Sequence, residues 1–330
     1  MGTTPYVIAV VNQKGGVGKT TTAVNLAACL AAAERPTLLI DVDPQANASS
    51  AYGISGAERQ VYDALVDGVP LARCAVATEL ETLHVVPSGR DLVGAEIELV
   101  TMEAREYRLA EAIRALEEAY DIVLIDCPPS LGLLTLNALT AADAVLIPLQ
   151  CEYYALEGLA SLVETVDLVR SQLNTRLEIQ GIVLTMADAR NNLARQVEAE
   201  VRRHFGEKVY RTRIPRNVRL SEAPSHGQPI LLYDIHSKGA AAYVKLAEEL
   251  LGQLALDGSP RKPPALPRGD GDENETRAES ATATSPTPGA APAASSAPTN
   301  TPSNVPTSTP TNAQTRPTPN PIGDDDEPTP

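Results

Sequence analysis

Two hydrophobic patterns alternate along the chain between about residues 5 and 255. Short apolar runs rich in β-branched residues predict strands, and segments whose apolar side chains recur every three or four positions predict helices. The predicted strands are Tyr6–Val11, Thr37–Asp41, Leu83–Pro87, Asp121–Asp126, Ala144–Leu149, Ile179–Met186 and, from a weaker pattern, Lys208–Tyr210. The predicted helices are Thr21–Ala33, Arg105–Ala119, Leu156–Leu173, Asn192–Phe205 and Gly239–Leu254.

This alternation predicts an α/β fold, with a mostly parallel twisted sheet and helices on both of its faces. A strand that is covered on both faces is apolar at every position, as the run Ile122–Ile125 is. The carboxyl ends of parallel strands meet at one edge of the sheet, where ligands of such folds bind. Three polar segments that follow strands, at Lys14, at Asp41 to Asp43 and at Asp126, are therefore expected to lie together.

A glycine-rich loop follows the first predicted strand and leads directly into the first predicted helix. Its glycines let the backbone wrap closely around a polyphosphate, so that several N–H groups point at negative charge. In this context Lys19 would reach the β- and γ-phosphates of a nucleotide, and the Thr20 hydroxyl would bind Mg²⁺. The predicted phosphate-binding residues are Lys14, Gly15, Gly16, Val17, Gly18, Lys19, Thr20 and Thr21.

The loop differs at its start from the usual phosphate-binding sequence G-x-x-x-x-G-K-[ST]. Gln13 stands where that sequence has its first glycine, and a second lysine, Lys14, follows it. The loop resembles the deviant Walker A sequence K-G-G-x-G-K-[ST]. In the family that carries this sequence, the additional lysine reaches across a dimer to the partner's nucleotide.

Asp43 and Asp126 each follow or end a predicted strand and are the expected acidic partners of the loop. Pro44 ends the strand and turns Asp43 into the site, where its carboxylate would support hydrolysis and hold metal-bound water. Asp126 ends an apolar strand, as the Walker B carboxylate near Mg²⁺ does. The simpler alternative of an ordinary turn carboxylate stays open for Asp43 and, more strongly, for Asp41.

The composition changes sharply after residue 256. Residues 257–330 contain 16 of the 27 prolines and no aromatic residue, and they carry −5 of the net charge of −15. Such a segment buries too little apolar surface to offset the entropy of ordering it. We therefore predict a folded domain that carries the phosphate-binding loop at 1–256 and a disordered acidic tail, rich in Pro, Thr and Ala, at 257–330.

Basic residues are concentrated between Arg190 and Arg219 in an otherwise acidic chain. This segment has nine Lys and Arg against three Glu, and such a local excess can bind the phosphates of duplex DNA without reading its sequence. The alternative is a solvated helix face, in which Glu198 and Glu200 pair with neighbouring arginines.

The cysteines and the apolar runs indicate where the protein resides. The four cysteines show neither disulfide nor metal-binding spacing, which indicates a reducing compartment. The sequence shows no signal segment and no apolar run that is long enough to span a bilayer. We therefore expect a cytoplasmic protein without membrane partners, and, because the first strand begins near Tyr6, no DNA-reading domain ahead of it.

Together these segments resemble the ParA/Soj-type chromosome- and plasmid-partitioning ATPases, within the ParA/MinD group of deviant Walker P-loop proteins. The resemblance covers about residues 5–252 and rests on the stretches Asn12–Thr21, Asp41–Gln45, Asp126–Ser130, Gln150–Gly158 and Ile214–Pro224. It makes the predicted domain at 1–256 a ParA-type P-loop ATPase domain, and it implies ATP and Mg²⁺ as cofactors. It also implies an ATP-sandwich homodimer that binds double-stranded DNA without sequence preference.

The same resemblance implies slow ATP hydrolysis by a nucleoid-associated protein, stimulated by a ParB-type centromere-binding partner. It assigns Lys14 to the partner's nucleotide across the dimer and Asp43 to hydrolysis. It places Gly15 where a larger side chain would obstruct closure of the dimer. By the same carry-over, the adenine-contacting segment includes Pro215 and Asn217, and the DNA-contacting residues are Arg190 and Arg219.

Two alternatives on the same scaffold compete with this assignment. A MinD-like ATPase that cycles on membranes for division-site placement needs a basic amphipathic C-terminal helix, but Leu246–Leu254 is acidic and an acidic tail follows. The second alternative is an amidoligase-like or iron-protein-like enzyme. A cluster carrier would need exposed cysteines about a dimer axis, and Cys127 is the only suggestive one.

Overall fold

The computed structural model describes residues 4–116, 120–188 and 190–254. Within them, the strands are β1 (Tyr6–Val10), β2 (Thr37–Asp41), β3 (Val76–Ala77), β4 (Leu83–Val86), β5 (Ile122–Asp126), β6 (Ala144–Gln150), β7 (Glu178–Ala187) and β8 (Val209–Pro215). The α-helices are α1 (Lys19–Ala32), α2 (Asn47–Ser50), α3 (Val61–Leu65), α4 (Leu71–Cys74), α5 (Leu92–Leu99), α6 (Arg108–Arg114), α7 (Leu133–Ala141), α8 (Ala155–Gln172), α9 (Asn192–Phe205), α10 (Val218–Glu222), α11 (Ile230–Tyr233) and α12 (Lys238–Leu254). The predicted tail at 257–330 lies outside the described residues.

All these strands join one sheet in the order β3-β4-β2-β5-β1-β6-β7-β8. Neighbouring strands are parallel except for β3 and β4, which are antiparallel. The mostly parallel sheet predicted from the sequence is therefore confirmed. The edge strand β3 was not predicted, because its two residues are too short to show a periodic pattern.

Helices cover both faces of the sheet, and each face has its own hydrophobic core. On one face, α1 and α12 pack against the strands through side chains such as Leu30 and Leu246. On the other face, α5, α7 and α8 do so through Leu92, Leu134 and Leu162. Because the central strands are buried from both sides, their residues are apolar at nearly every position.

Most predicted boundaries lie within two residues of the observed ones, and two elements differ by more. Helix α6 begins at Arg108 instead of Arg105, and the predicted end at Ala119 lies outside the described residues. Strand β8 continues to Pro215, well beyond the predicted end at Tyr210. β8 is an edge strand whose outward positions carry Arg211 and Arg213, and charges of this kind, common on edge strands, hide the apolar pattern.

The sheet brings the predicted polar segments to one edge. Asp41 at the end of β2 is the register partner of Asp126 at the end of β5. Val10, the last residue of β1 before the glycine loop, is in turn the register partner of Asp126. The carboxyl ends of three adjacent strands therefore place the two aspartates beside the loop. No helix among the described residues is long and apolar enough to cross a bilayer.

Candidate functional site

The glycine loop between β1 and α1 uses its three glycines in two different ways. Gly16 and Gly18 have φ angles of 74° and 90°, a region that residues with side chains rarely adopt. Gly15 lies outside that region, and a Cβ atom added to it would meet nothing within 4 Å. The backbone of the loop therefore requires Gly16 and Gly18, whereas no contact among the described residues requires Gly15.

Two buried polar side chains fix the loop to the sheet. The Asn12 side chain donates to the carbonyl of Pro148 on β6 at 2.8 Å, and its oxygen accepts the backbone N–H of Lys14 at 2.9 Å. The Thr185 hydroxyl of β7 donates to the Val17 carbonyl at 2.7 Å. Sequence reasoning gave Asn12 and Thr185 no role, although Asn12 begins one of the matching stretches.

Lys19 is a buried cation at the start of α1, with only 6% of its surface exposed. Its ammonium donates to the Lys14 carbonyl at 3.2 Å, and no carboxylate oxygen of the described residues lies within 4 Å of it. Burial lowers the pKa of Lys19, and the charges of Asp126 and Asp43 act in the opposite direction. A buried ammonium of this kind is stabilised by an anionic ligand, and a phosphate group supplies one.

Asp126 is a fully buried carboxylate at the end of β5. Neither of its oxygens has a hydrogen-bond partner of standard geometry among the described residues, although the Thr20 hydroxyl is close enough to lower its pKa. Burial, followed by the charge of Asp41, outweighs that effect and raises the pKa of Asp126 well above its usual value. A buried carboxyl without partners is unfavourable, so this arrangement fits a site that is completed by a ligand.

The donors around Asp126 suit Mg²⁺. The ion prefers oxygen ligands and is usually bound by one or two protein groups together with waters and phosphate oxygens. Here the Thr20 hydroxyl is close enough to the Asp126 carboxyl to lower its pKa, so both side chains are available to one such site. The described residues contain no group of three carboxylate, His or Cys side chains that could hold a metal ion without such additional ligands.

The structure separates the roles of Asp41 and Asp43. Asp41 accepts the backbone N–H and the hydroxyl of Ser49 at 2.9 and 2.7 Å, and the N–H of Asp43 at 3.1 Å. Burial raises its pKa to about 6, and its hydrogen bonds make it the turn carboxylate of the simpler alternative. Asp43 accepts one backbone N–H, from Gln45 at 2.9 Å, at the same edge of the sheet. Its role in hydrolysis stays a prediction.

Lys14 forms an ion pair within the single chain. Its ammonium contacts the carboxylate of Glu152, in the turn between β6 and α8, and both side chains are about half exposed, at 48% and 46%. Glu152 lies in the matching stretch Gln150–Gly158, but nothing in the local sequence indicated that it would contact the loop. The pair shows that the Lys14 ammonium contacts a residue outside its own loop.

The segment predicted to contact adenine lies at the same edge of the sheet. Pro215 ends β8 and, with Met186 and Ala187 after the buried part of β7, lines a cavity of about 900 Å³. Met186 has a φ angle of 49°, which is uncommon for a residue with a side chain. Asn217 caps α10, where its side chain accepts the backbone N–H of Arg219 at 2.8 Å.

Arg190 and Arg219 are exposed, and both form ion pairs with neighbouring carboxylates. Arg190 binds Asp188 through two nitrogens at 3.0 and 2.9 Å and thereby lowers the pKa of that carboxyl to about 2. Arg219 contacts Glu222 at 2.9 Å and Asp234 at 3.5 Å. Exposed ion pairs contribute little free energy, so these contacts leave both arginines able to exchange a carboxylate for a phosphate.

Some of the remaining basic residues form local ion pairs, as a solvated helix face would, and others are available to bind the phosphates of DNA. Arg202 and Arg213 share Glu198 at 2.8 and 2.6 Å, and Arg203 pairs with Glu200. The solvated-face alternative therefore describes part of the segment correctly. Arg216, in contrast, is exposed and has no ion pair among the described residues.

Cys127 is fully buried behind Asp126. Burial raises the pKa of its thiol well above the usual value, and the sulfur lies 3.8 Å from the carbonyl of Ile125. It therefore packs as a small core side chain and does not present a ligand at the surface, as an iron–sulfur cluster shared about a dimer axis would require.

Comparison with known proteins gives a consistent assignment. A family model described as an AAA domain matches residues 6–179. Sporulation initiation inhibitor protein Soj of Bacillus subtilis is 59% identical over 246 residues, which are 74% of this chain and 97% of that protein. Chromosome partitioning protein ParA of Myxococcus xanthus is 58% identical over 74% of this chain and 87% of that protein.

A solved structure with a bound nucleotide analog shares the fold. Cobyrinic acid a,c-diamide synthase of Mycobacterium smegmatis, with a bound ATP analog and magnesium, is 36% identical and has a TM-score of 0.67, over 79% of this chain and 98% of that chain. The family model spans more than half of the sequence, and the two curated relatives match almost three quarters of it at well above half identity. The chain therefore belongs to the ParA/Soj-type partitioning ATPases of the P-loop class.

Proposed function

We propose that this protein partitions DNA through a cycle of ATP binding and hydrolysis. In this cycle two copies clamp ATP between them, the dimer binds duplex DNA without sequence preference, and hydrolysis releases it. A ParB-type centromere-binding partner stimulates the hydrolysis, and the protein acts in the cytoplasm on the nucleoid. The observation that carries the proposal is the exposed Lys14, which is directed out of its own loop towards Glu152.

The loop supports a dimer in which each copy completes the other's site. Lys14, Gly15 and Gly16 are all exposed in the single chain, so a second copy can approach them. In a two-fold arrangement the γ-phosphate of one copy replaces Glu152 as the partner of Lys14 in the other. Loss of that phosphate removes the charge that joins the copies, which makes hydrolysis a switch between dimer and monomer.

Within each copy different described residues contact different parts of ATP. The buried Lys19 and the N–H groups of the loop bind phosphate oxygens, and Asn12 and Thr185 hold the loop in place. Thr20 would hold Mg²⁺ near Asp126, and the ion would supply positive charge to the phosphates. Asp43 orients the attacking water, and Asn217 and Pro215 border the adenine.

The proposed DNA contacts come from Arg190 and Arg219, with Arg216 as an additional exposed cation between them. Phosphate contacts of this kind carry no sequence information. Because the dimer presents two copies of the basic surface, its affinity for DNA exceeds that of a single copy. ATP therefore controls DNA binding through the number of arginines that engage together.

DNA co-sedimentation with ATP, with ADP and without nucleotide tests this function. We expect binding with ATP alone, and an affinity that falls log-linearly with salt concentration. Light scattering on the same samples should report a dimer only with ATP. Single chains at saturating ATP, or equal DNA binding in all three states, would contradict the proposal.

Two alternatives are tested by the same preparation. The solved diamide synthase shares the fold at lower identity than Soj does, and an activity of that kind would appear as ATP turnover that depends on a small-molecule acid instead of DNA. A MinD-like function would appear as ATP-dependent flotation with anionic liposomes. Neither result is expected.

A further inference from the structure

The outer face of α5 is unusually apolar for a surface helix. Val93, Ile97 and Val100 are 59%, 74% and 53% exposed, while the opposite side of α5 is buried in the core. At 100° per residue these three side chains fall within about 60° of one another, so they form a single stripe. An exposed apolar patch of this kind on a soluble domain marks an interaction site.

An acidic cavity borders one flank of this α5 stripe. It has a volume of about 500 Å³, lies between α5 and α3, and is lined by Glu58, Asp63, Asp91 and Glu98 against one arginine, Arg90. Two of these carboxylates are held in place by neutral donors. Asp63 accepts the backbone N–H of Gln60 at 2.7 Å, and Glu98 accepts the Tyr62 hydroxyl at 3.0 Å. Because both donors are neutral, these hydrogen bonds do not cancel the negative charges of the two carboxylates.

The opposite flank of the α5 stripe touches the loop that follows Asp126. A Cβ atom added to Gly132 would lie 2.0 Å from a carboxylate oxygen of Glu96 on α5. Leu131, next to Gly132 in the same loop, is a second exposed apolar side chain, at 45%. A ligand on α5 would therefore lie beside the segment that leads directly from the buried carboxyl of the nucleotide site.

We propose that the α5 stripe and the acidic cavity form the docking surface for a basic amphipathic segment of the partner that stimulates ATP hydrolysis. This inference rests on the proposed function, because it names the surface through which that partner acts. Aliphatic side chains of the segment cover Val93, Ile97 and Val100. Its Lys or Arg side chains enter the cavity towards Asp91 and Glu98, where opposite charges complement each other.

Charge excludes the other candidates for this surface. DNA is repelled by carboxylates on both flanks of the stripe. A two-fold contact over the stripe would bring the same acidic surface of both copies into one interface, where their like charges disfavour the contact. A basic segment is the ligand that matches both the apolar and the charged parts.

The test measures partner binding and ATP turnover with paired variants. One variant, Val93→Ser with Ile97→Ser, removes the stripe, and the other, Asp91→Asn with Glu98→Gln, removes two cavity charges while keeping the Tyr62 acceptor. The full-length ParB-type protein of the same organism is titrated against each full chain with ATP and DNA. Binding is followed by fluorescence anisotropy, and hydrolysis by phosphate release.

Matched controls come from α8, which is distant in sequence from the patch. Leu168 is 55% exposed and Glu164 is exposed without an ion pair among the described residues, so Leu168→Ser and Glu164→Gln remove comparable groups elsewhere. We expect both test variants to raise the partner's half-maximal concentration at least about tenfold, as the loss of central interface contacts does. Basal hydrolysis, DNA binding, ATP-dependent dimerisation and melting temperature should stay at the wild-type values, as in the controls.

Other results overturn the inference. Unchanged stimulation and binding in both test variants would show that the partner docks elsewhere, while the proposed function stands. Loss of dimerisation in the Val93/Ile97 variant would assign the stripe to a contact between copies. A wild-type chain that dimerises and binds DNA but neither binds nor responds to the partner would remove this inference together with the partner role, and would leave the ATP-dependent DNA binding intact.

Discussion

The ion pair between Lys14 and Glu152 predicts that Glu152 opposes dimerisation. If Lys14 must leave Glu152 to reach the nucleotide of the other copy, the pair stabilises the single chain. Substitution Glu152→Gln removes the charge, keeps the size of the side chain and releases Lys14. The variant should therefore form the ATP-bound dimer at lower protein concentration than the wild type.

The size of the effect follows from the exposure of the pair. Both side chains are about half exposed, and an exposed ion pair contributes about 0.2–1 kcal/mol. Each dimer loses two such pairs, or about 0.4–2 kcal/mol, so the dimer dissociation constant of Glu152→Gln should fall about 2- to 30-fold.

Sedimentation velocity over a range of protein concentrations, with a non-hydrolysable ATP analogue, measures this constant directly. Glu157 provides the matched control because it is exposed on α8 and lines the same small cavity as Lys14, so Glu157→Gln removes an equal charge nearby. It should change the constant much less. In a Lys14→Gln background, Glu152→Gln should have no further effect, since their coupling is then absent.

The reasoning is refuted if Glu152→Gln dimerises no more tightly than the wild type. It is also refuted if Glu157→Gln gives the same gain, because general relief of negative charge would then explain both results. A weaker dimer in Glu152→Gln would mean that Glu152 acts within the dimer and not against it.

Three further predictions follow from the same site. Gly15→Val should keep wild-type ATP affinity and melting temperature but form no dimer in light scattering, because its Cβ meets nothing within 4 Å in the single chain; lost ATP binding would contradict this. Asp126→Asn should abolish the melting shift caused by Mg·ATP, because it removes the carboxylate near the metal, and should change the stability of the nucleotide-free chain by less than about 1 kcal/mol, because the amide is as short of partners there as the carboxyl; an unchanged Mg·ATP shift would contradict this. Replacing both Arg190 and Arg219 by Ala should reduce the slope of log affinity for DNA against log salt by about 3–4, since a dimer loses four phosphate contacts, with ATP binding intact; an unchanged slope would remove these arginines from the DNA surface.

The acidic residues show how far sequence reasoning reaches. The strand patterns placed both Asp41 and Asp126 at strand ends, and the register of β2 with β5 brings them side by side as expected. The sequence left open which aspartates only shape a turn. The structure shows that Asp41 shapes the turn, because the backbone N–H and the hydroxyl of Ser49 both donate to one carboxylate oxygen of Asp41. No periodic pattern in the sequence predicts these hydrogen bonds.

The basic segment shows the same limit. Its charge excess was visible in the sequence, but the division into paired and unpaired arginines was not. Glu198 forms an ion pair with Arg202 on its own helix, and the spacing of four residues predicts that contact. Glu198 also forms an ion pair with Arg213 on β8, and this second contact depends on the packing of α9 beside that strand. Arg190 and Arg219 instead pair with carboxylates close to them in sequence.

The sequence by itself determined the alternation of the main strands and helices, the glycine-rich loop between the first strand and helix, the acidic strand ends and the family. These features are local, because backbone periodicity and glycine conformation depend on neighbouring residues. Only the tertiary structure decided that Asn12 holds the loop to β6, that Glu152 holds Lys14 across 138 residues of sequence, and that α5 has an apolar outer stripe beside an acidic cavity. Those contacts exist because β1 lies between β5 and β6 in the sheet and because α5 packs between α3 and α7, and such long-range packing leaves no periodic signal along the chain.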